Sequence, residues 1–220
     1  MKGQLFKDSR YDNQIAVGDR VAFQQSESDG LGLITGIEER KSFLSRTRVG
    51  IEAEQVIAAN VDTMLIVASA SSPSFRANLV NRLLVAARAG NITPVLLLTK
   101  TDLVDDDAVD TLISPYRSLD LQIVRSSIYN DFPVQPLQEI FSGKICVLAG
   151  QSGVGKSSLL NRLFPDLNIK VGAVSAKTSK GSHTTSYAVM HRVGDGGFVI
   201  DTPGIREFGL WHIDTDNLRE

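Results

Sequence analysis

A single cysteine, Cys146, excludes an intramolecular disulfide and a cysteine-rich zinc centre within this chain. It lies in the apolar run Lys144-Ile-Cys-Val-Leu-Ala149, which reads as a buried strand, so packing and not thiol chemistry is its expected role. Excess charge is also missing. The chain has 23 Lys and Arg against 25 Asp and Glu, a net charge of −2, so it has no whole-chain attraction for nucleic acid. Any RNA contact must come from a local patch or a larger assembly. Apolar stretches such as 64–70 and 94–98 fall far short of the roughly 20 residues a membrane helix requires. Met1-Lys-Gly-Gln4 carries no apolar signal-peptide core, so a cytoplasmic protein with no membrane partner is expected. What is present is ordinary for a globular chain: 220 residues, 42% hydrophobic and 22% charged, enough to bury a substantial core.

Two regions differ in pattern. Residues 1–58 consist of short strand-like runs, Arg20–Gln24, Leu31–Ile37 and Phe43–Val49, separated by Gly18-Asp19 and Asp29-Gly30 turns, which predicts a small all-β module. Residues 59–220 alternate strand and helix. Strands are expected at Met64–Ser69, Pro94–Thr99, Leu121–Ser126, Ile145–Gly150, Tyr187–His191 and Phe198–Asp201. A helix is expected over Phe75–Ala89, from the spacing of Leu79, Leu83 and Val85 or Ala86, with Gly90 as its C′ residue. Another opens at Asp105-Asp-Asp107, where acidic side chains suit a positive helix end. This alternation predicts an α/β fold with a mostly parallel sheet covered on both faces. The long polar stretch Lys170–Thr185 reads as a functional loop.

The strongest chemical signal is Gly150, Gln151, Ser152, Gly153, Val154, Gly155, Lys156 and Ser157, followed by Ser158 at the start of a helical pattern. It fits the phosphate-binding loop G-x-x-x-x-G-K-[ST] between a strand and a helix. Its glycines let backbone N–H groups face phosphate oxygens, and the helix adds its positive end. Lys156 supplies charge to the β- and γ-phosphates, and the Ser157 hydroxyl is suited to ligate Mg²⁺. Asp201-Thr-Pro-Gly204 ends a later strand: Asp201 suits a Mg²⁺-bound water, and Gly204 suits an N–H donor to a γ-phosphate. Thr99, Lys100, Thr101 and Asp102 end another strand, where the Asp102 carboxylate accepts the two N–H groups that guanine offers and adenine lacks. Thr99 stands where most GTPases carry asparagine, and a hydroxyl makes fewer hydrogen bonds than an amide. Ser126 and Ser127 close the next strand, where backbone N–H groups suit the guanine oxygen. Thr184 and Thr185 end the polar loop, and a threonine there completes Mg²⁺ coordination when a γ-phosphate is present.

The order of these parts is unusual. The base-selecting motif (99–102) and Ser126-Ser127 precede the phosphate loop (150–158), which precedes Thr184-Thr185 and 201–204. This is a GTPase arrangement cut and rejoined elsewhere, with 129–143 joining the old ends. In this it resembles the RsgA (YjeQ) family of small-ribosomal-subunit biogenesis GTPases. Further matching residues are Val17-Gly-Asp-Arg20, Glu54-Gln-Val-Ile-Ala-Ala-Asn-Val61, His183-Thr-Thr185 and Asp201-Thr-Pro-Gly-Ile-Arg-Glu-Phe208. The resemblance implies an N-terminal OB-fold, a circularly permuted GTPase domain, and a C-terminal zinc-binding module that helps docking on the 30S subunit. Here residues 1–8 resemble the middle of the barrel, so an incomplete OB-like module of three or four strands is expected. The chain stops 16 residues after Gly204 with no Cys/His cluster, so the zinc module is expected to be absent and no zinc is expected within the chain.

The expected activity is GTP hydrolysis to GDP and phosphate with Mg²⁺, slow alone and stimulated by the 30S subunit, in a monomeric protein acting in late 30S maturation. Ile205 follows Gly204, where many GTPases place a water-orienting glutamine; the resemblance implies His183 as its substitute, with Lys156 as the other catalytic group. Four cations around Phe43, in Arg40-Lys-Ser-Phe-Leu-Ser-Arg-Thr-Arg48, suit rRNA phosphates and base stacking, and a solvated face is the competing reading. Two other functions stay open on sequence alone: a nucleotide-switched rRNA-binding module with little catalysis, and a P-loop ATPase.

Overall fold

The structure, a computed structural model, describes residues 15–25, 32–47, 54–130, 132–167 and 188–201. In chain order the elements are β1 (Val21–Gln25), β2 (Gly32–Ile37), β3 (Phe43–Thr47), β4 (Glu54–Ala59), β5 (Thr63–Ser69), α1 (Ala77–Ala89), β6 (Thr93–Thr99), α2 (Asp106–Ile113), β7 (Gln122–Ser126), α3 (Val134–Phe141), β8 (Ile145–Ala149), α4 (Lys156–Leu163), β9 (Val189–Val193) and β10 (Gly197–Asp201).

Six strands form one sheet in the order β7-β6-β5-β8-β10-β9, and every neighbouring pair is parallel except β10 with β9. The central strand β5 is buried at every position, because helices cover both faces of the sheet. Its side chains alternate between two cores. Met64, Ile66 and Ala68 join Leu83 of α1 and Val109 of α2, while Leu65 and Val67 join Leu137 of α3 and Leu159 of α4. The helix α3 lies in the 129–143 join and was not expected as a helix; its buried Leu137, Ile140 and Phe141 have the spacing of a single helical face.

The end of α1 differs from expectation by one residue. Gly90 has φ −87°, and it is Asn91 (φ 56°) that takes the left-handed position. Asn91 N–H donates to Arg88 O (3.1 Å) and Ile92 N–H to Ala87 O (2.8 Å), the paired bonds of a Schellman turn. Glycine is needed at 90 for another reason. A Cβ there would lie 2.1 Å from the Phe43 carbonyl oxygen, and Phe43 N–H donates to Gly90 O at 3.0 Å. The helix α2 begins as expected, with Asp105 capping it by accepting from Ala108 N–H at 2.8 Å.

The N-terminal strands form two antiparallel pairs, β1–β2 and β3–β4. The expected boundary after residue 58 falls inside β4, a strand that the sequence reading left unassigned. Leu44 and Ala58 belong to the same core as α1, so β3–β4 packs directly on the larger unit. A polar buckle ties the segment before β1 to those before β3 and after β4. Asp19, whose side chain is 1% exposed, binds Arg40 through both carboxylate oxygens (2.7 and 2.8 Å) and also accepts from Ala16 N–H. Asn60 donates to Gly18 O and accepts from Lys41 N–H. Arg40 and Phe43 of the cationic stretch are therefore engaged in packing, while the side chains of Arg46 and Arg48 lie outside the described residues.

Candidate nucleotide-binding site

In an open parallel sheet, ligands bind beyond the carboxyl ends of the strands, where the connections diverge to opposite faces. That divergence falls between β5 and β8: α1 follows β5 on one face and α4 follows β8 on the other. The phosphate-loop sequence occupies this point, as the connection between β8 and α4. Its first residue, Gly150 (φ 143°), sits so close to β5 that a Cβ would lie 2.1 Å from Val67 O. Val154 is 2% exposed and anchors the loop in the core shared by α3 and α4. Lys156 Nζ donates to Gly150 O at 2.7 Å and Gln151 O at 2.8 Å, which places its charge inside the loop. Helix α4 opens with Gly155 as N-cap and no side-chain cap bond, so no capping side chain competes with an anion for its positive end.

Strands β6 and β7 run parallel in register, with Thr99 opposite Ser126, so the segments following them lie side by side. Thr99 is 6% exposed, and its hydroxyl lies 2.7 Å from Val154 O and 3.1 Å from Ala68 O. The residue expected beside the base is thus bonded into the phosphate loop. Lys100 (φ 58°) directs Nζ to Gly153 O at 3.0 Å and also to Ser72 O. Thr101–Leu103 then form one tight helical turn that leaves Asp102 exposed. Ser126 and Ser127 are buried, and Ser127 Oγ accepts from the N–H groups of Tyr129 (3.1 Å) and Asn130 (3.0 Å). The structure thereby joins residues 99–102 to the phosphate-loop sequence some fifty residues further along the chain.

One contributor was not anticipated. The loop after β5 supplies Ser72 O to Lys100, and Ala70 N–H donates to Thr99 O at 2.9 Å. Pro73 lies beside Gly153, with Cδ 3.7 Å from where a Cβ would stand. Its signal in the sequence is the turn cluster Ser71-Ser-Pro-Ser74 after a buried strand.

Ser157 in the first turn of α4 makes no hydrogen bond through its hydroxyl among the described residues, and a hard oxygen there fits Mg²⁺ beside bound phosphates. The register Ile200 to Val147 between β10 and β8 brings the backbone of Asp201 to the same end of the sheet. The Asp201 side chain, His183, Thr184, Thr185 and Gly204 lie outside the described residues. Cys146 is fully buried, its thiol is pushed up to about 12 by burial, and Sγ donates to Ile140 O at 3.3 Å, as a packing residue would.

A phosphate loop at the centre of the sheet, preceded in the chain by the strand that ends at Thr99, is the fold of a circularly permuted P-loop GTPase domain. The comparisons with known proteins agree. The family model described as RsgA GTPase matches residues 37–211, and the chain belongs to this family. Two relatives named "Small ribosomal subunit biogenesis GTPase RsgA" come from Alcanivorax borkumensis (42% identical, covering 93% of this chain and 58% of that protein) and Chlorobaculum parvum (39% identical, 94% and 69%). Two solved structures are similar. One is YjeQ from Thermotoga maritima, with TM-score 0.65 and 30% identity over 86% of this chain and 61% of that one. The other is YloQ, titled a circularly permuted GTPase, with TM-score 0.64 and 32% identity over 97% and 64%. The chain thus spans about three fifths to two thirds of the length of the relatives it matches.

Proposed function

We propose that this chain binds GTP and GDP with Mg²⁺, hydrolyses GTP to GDP and phosphate, and serves as an assembly factor in late maturation of the small (30S) ribosomal subunit. The observation that carries the nucleotide reading is the joining of 99–102 to the phosphate loop through Thr99–Val154 and Lys100–Gly153. Base and phosphates are then held by one connected unit. The names of the relatives support the ribosomal role.

In this reading Asp102 accepts the N1 and N2 protons of guanine, and the backbone of Ser126-Ser127 meets its oxygen. Lys156 exchanges the carbonyls of Gly150 and Gln151 for the β- and γ-phosphates. Ser157, Thr185 and Asp201 hold Mg²⁺, which neutralises charge on the phosphates. Gly204 donates its N–H to the γ-phosphate, and His183 orients the attacking water. The N-terminal strands form an OB-like module that contacts rRNA, and the protein works as a cytoplasmic monomer. No described helix is long and apolar enough to cross a membrane.

The test is GTP turnover with and without 30S subunits, together with GTP and ATP competition for the site. Slow turnover that rises on adding 30S supports the proposal. ATP competing as well as GTP would refute the guanine assignment, and turnover indifferent to 30S would refute the ribosomal one. A His183→Ala variant that keeps full stimulated turnover removes His183 from the mechanism.

A further inference from the structure

Guanine differs from other bases on two edges. One edge carries the N1 and N2 protons that a carboxylate accepts; the other presents N7 and O6, both acceptors that need donors. The side chains at the ends of β6 and β7 offer few donors to that second edge. The Thr99 hydroxyl has one proton and two protein acceptors within reach, Val154 O at 2.7 Å and Ala68 O at 3.1 Å, in a side chain that is 6% exposed. Lys100 directs its ammonium to Ser72 O and Gly153 O. Ser126 and Ser127 are only 2% and 3% exposed, which closes their hydroxyls off from a base, and the Ser127 oxygen also accepts from the amides of Tyr129 and Asn130. That leaves the backbone N–H groups after β7 to meet O6, and no side chain at these two strand ends placed to donate to N7.

We infer that Thr99 is a positioning residue for the phosphate loop, and that N7 of the bound guanine is read by no side chain at the ends of β6 and β7, so the site takes 7-deazaguanine nucleotides as readily as guanine ones. This rests on the guanine-nucleotide reading above. An asparagine at 99 has an amide with two donors, enough to hold the loop and still reach an acceptor; a threonine has one, and here it is spent on the loop.

The experiment is displacement of N-methylanthraniloyl-GDP by GTP, 7-deaza-GTP and ATP from the unmodified chain and from Thr99→Val and Thr99→Ser. GTP and 7-deaza-GTP should displace within about twofold of each other in the unmodified chain. Loss of one buried hydroxyl bond in Thr99→Val should weaken both by the same factor, about fivefold, and Thr99→Ser should restore both. GTP binding more than about tenfold tighter than 7-deaza-GTP would show that N7 is read and overturn the inference. So would a Thr99→Val defect confined to GTP. The comparison on the unmodified chain needs no variant to fold. If ATP displaces the probe as well as GTP does, the guanine reading itself falls; a clear preference for GTP over ATP with strong rejection of 7-deaza-GTP overturns the present inference and leaves the guanine reading standing.

Discussion

Gly150→Ala should be the most damaging single-methyl change in the phosphate loop. Two costs add at this position. The backbone has φ 143°, outside the range an L-residue adopts easily, at a cost of about 1–3 kcal/mol. The new Cβ would also stand 2.1 Å from Val67 O, so one of the two must retreat by more than about 1 Å to reach ordinary contact. Val67 cannot give way readily, because β5 is paired along its length with β6 and partly with β8. Overpacking against so fixed a neighbour costs about 1–3 kcal/mol more, for a total near 4 kcal/mol. Gly153→Ala is the internal control. It has φ 81° but its nearest neighbour is Pro73 Cδ at 3.7 Å, an ordinary contact, so only the conformational cost of about 1–2 kcal/mol applies. Urea unfolding followed by circular dichroism measures both, with the shift in midpoint read as stability at constant slope. If the two variants lie within about 0.5 kcal/mol of each other, the close approach of Gly150 to β5 is not what the position requires, and the reasoning fails.

Asp102→Asn replaces an acceptor by an amide that can donate, so competition assays should show GTP weakened and xanthosine triphosphate favoured; unchanged preference removes Asp102 from base recognition. Asp19→Ala removes both bonds that Asp19 accepts from the 14%-exposed Arg40 side chain; a loss of about 3 kcal/mol is expected in chemical denaturation, and a loss near zero would show that this pair does not hold the N-terminal segments together. Cys146 should resist alkylation in the folded chain and react on unfolding, measured by iodoacetamide labelling across a urea series. Because its folded value of about 12 lies above the ordinary 9.0, the unfolded chain loses that proton first as pH rises. Stability from this group is therefore complete below pH 9 and declines between 9 and 12; a Cys146→Ser variant with an unchanged alkaline profile in that window would refute the link.

Much of the fold was legible because it is written in local periods. The runs at 64–69, 94–99 and 145–149 are continuous apolar strands, and helix α2 announces itself through its Asp105 cap. The phosphate loop was legible for the same reason: its glycines, lysine and serine are contiguous, and their spacing carries the chemistry. Two elements escaped. Strand β4 begins with Glu54 and Gln55 and has no clean alternation, and its buried Ala58 belongs to a core shared with α1. Helix α3 is only eight residues long and has no side-chain N-cap bond to mark its start.

The misplacements share one cause. Gly90 looked like a left-handed helix stop, but Asn91 takes that conformation, and glycine at 90 answers to a carbonyl on β3. Arg40 looked like a nucleic-acid contact and instead pairs with Asp19, 21 positions earlier. Sequence by itself determined which motifs exist, their permuted order and the alternation of strand and helix, since each is set by residues within a few positions of one another. Only the tertiary structure decided which partner each short polar side chain takes. Thr99 meets Val154 across 55 positions because parallel pairing sets β6 beside β5 and β5 beside β8. Hydrogen bonds reach about 3 Å, so contacts of that kind are fixed by the packing of strands and leave no local pattern in the chain.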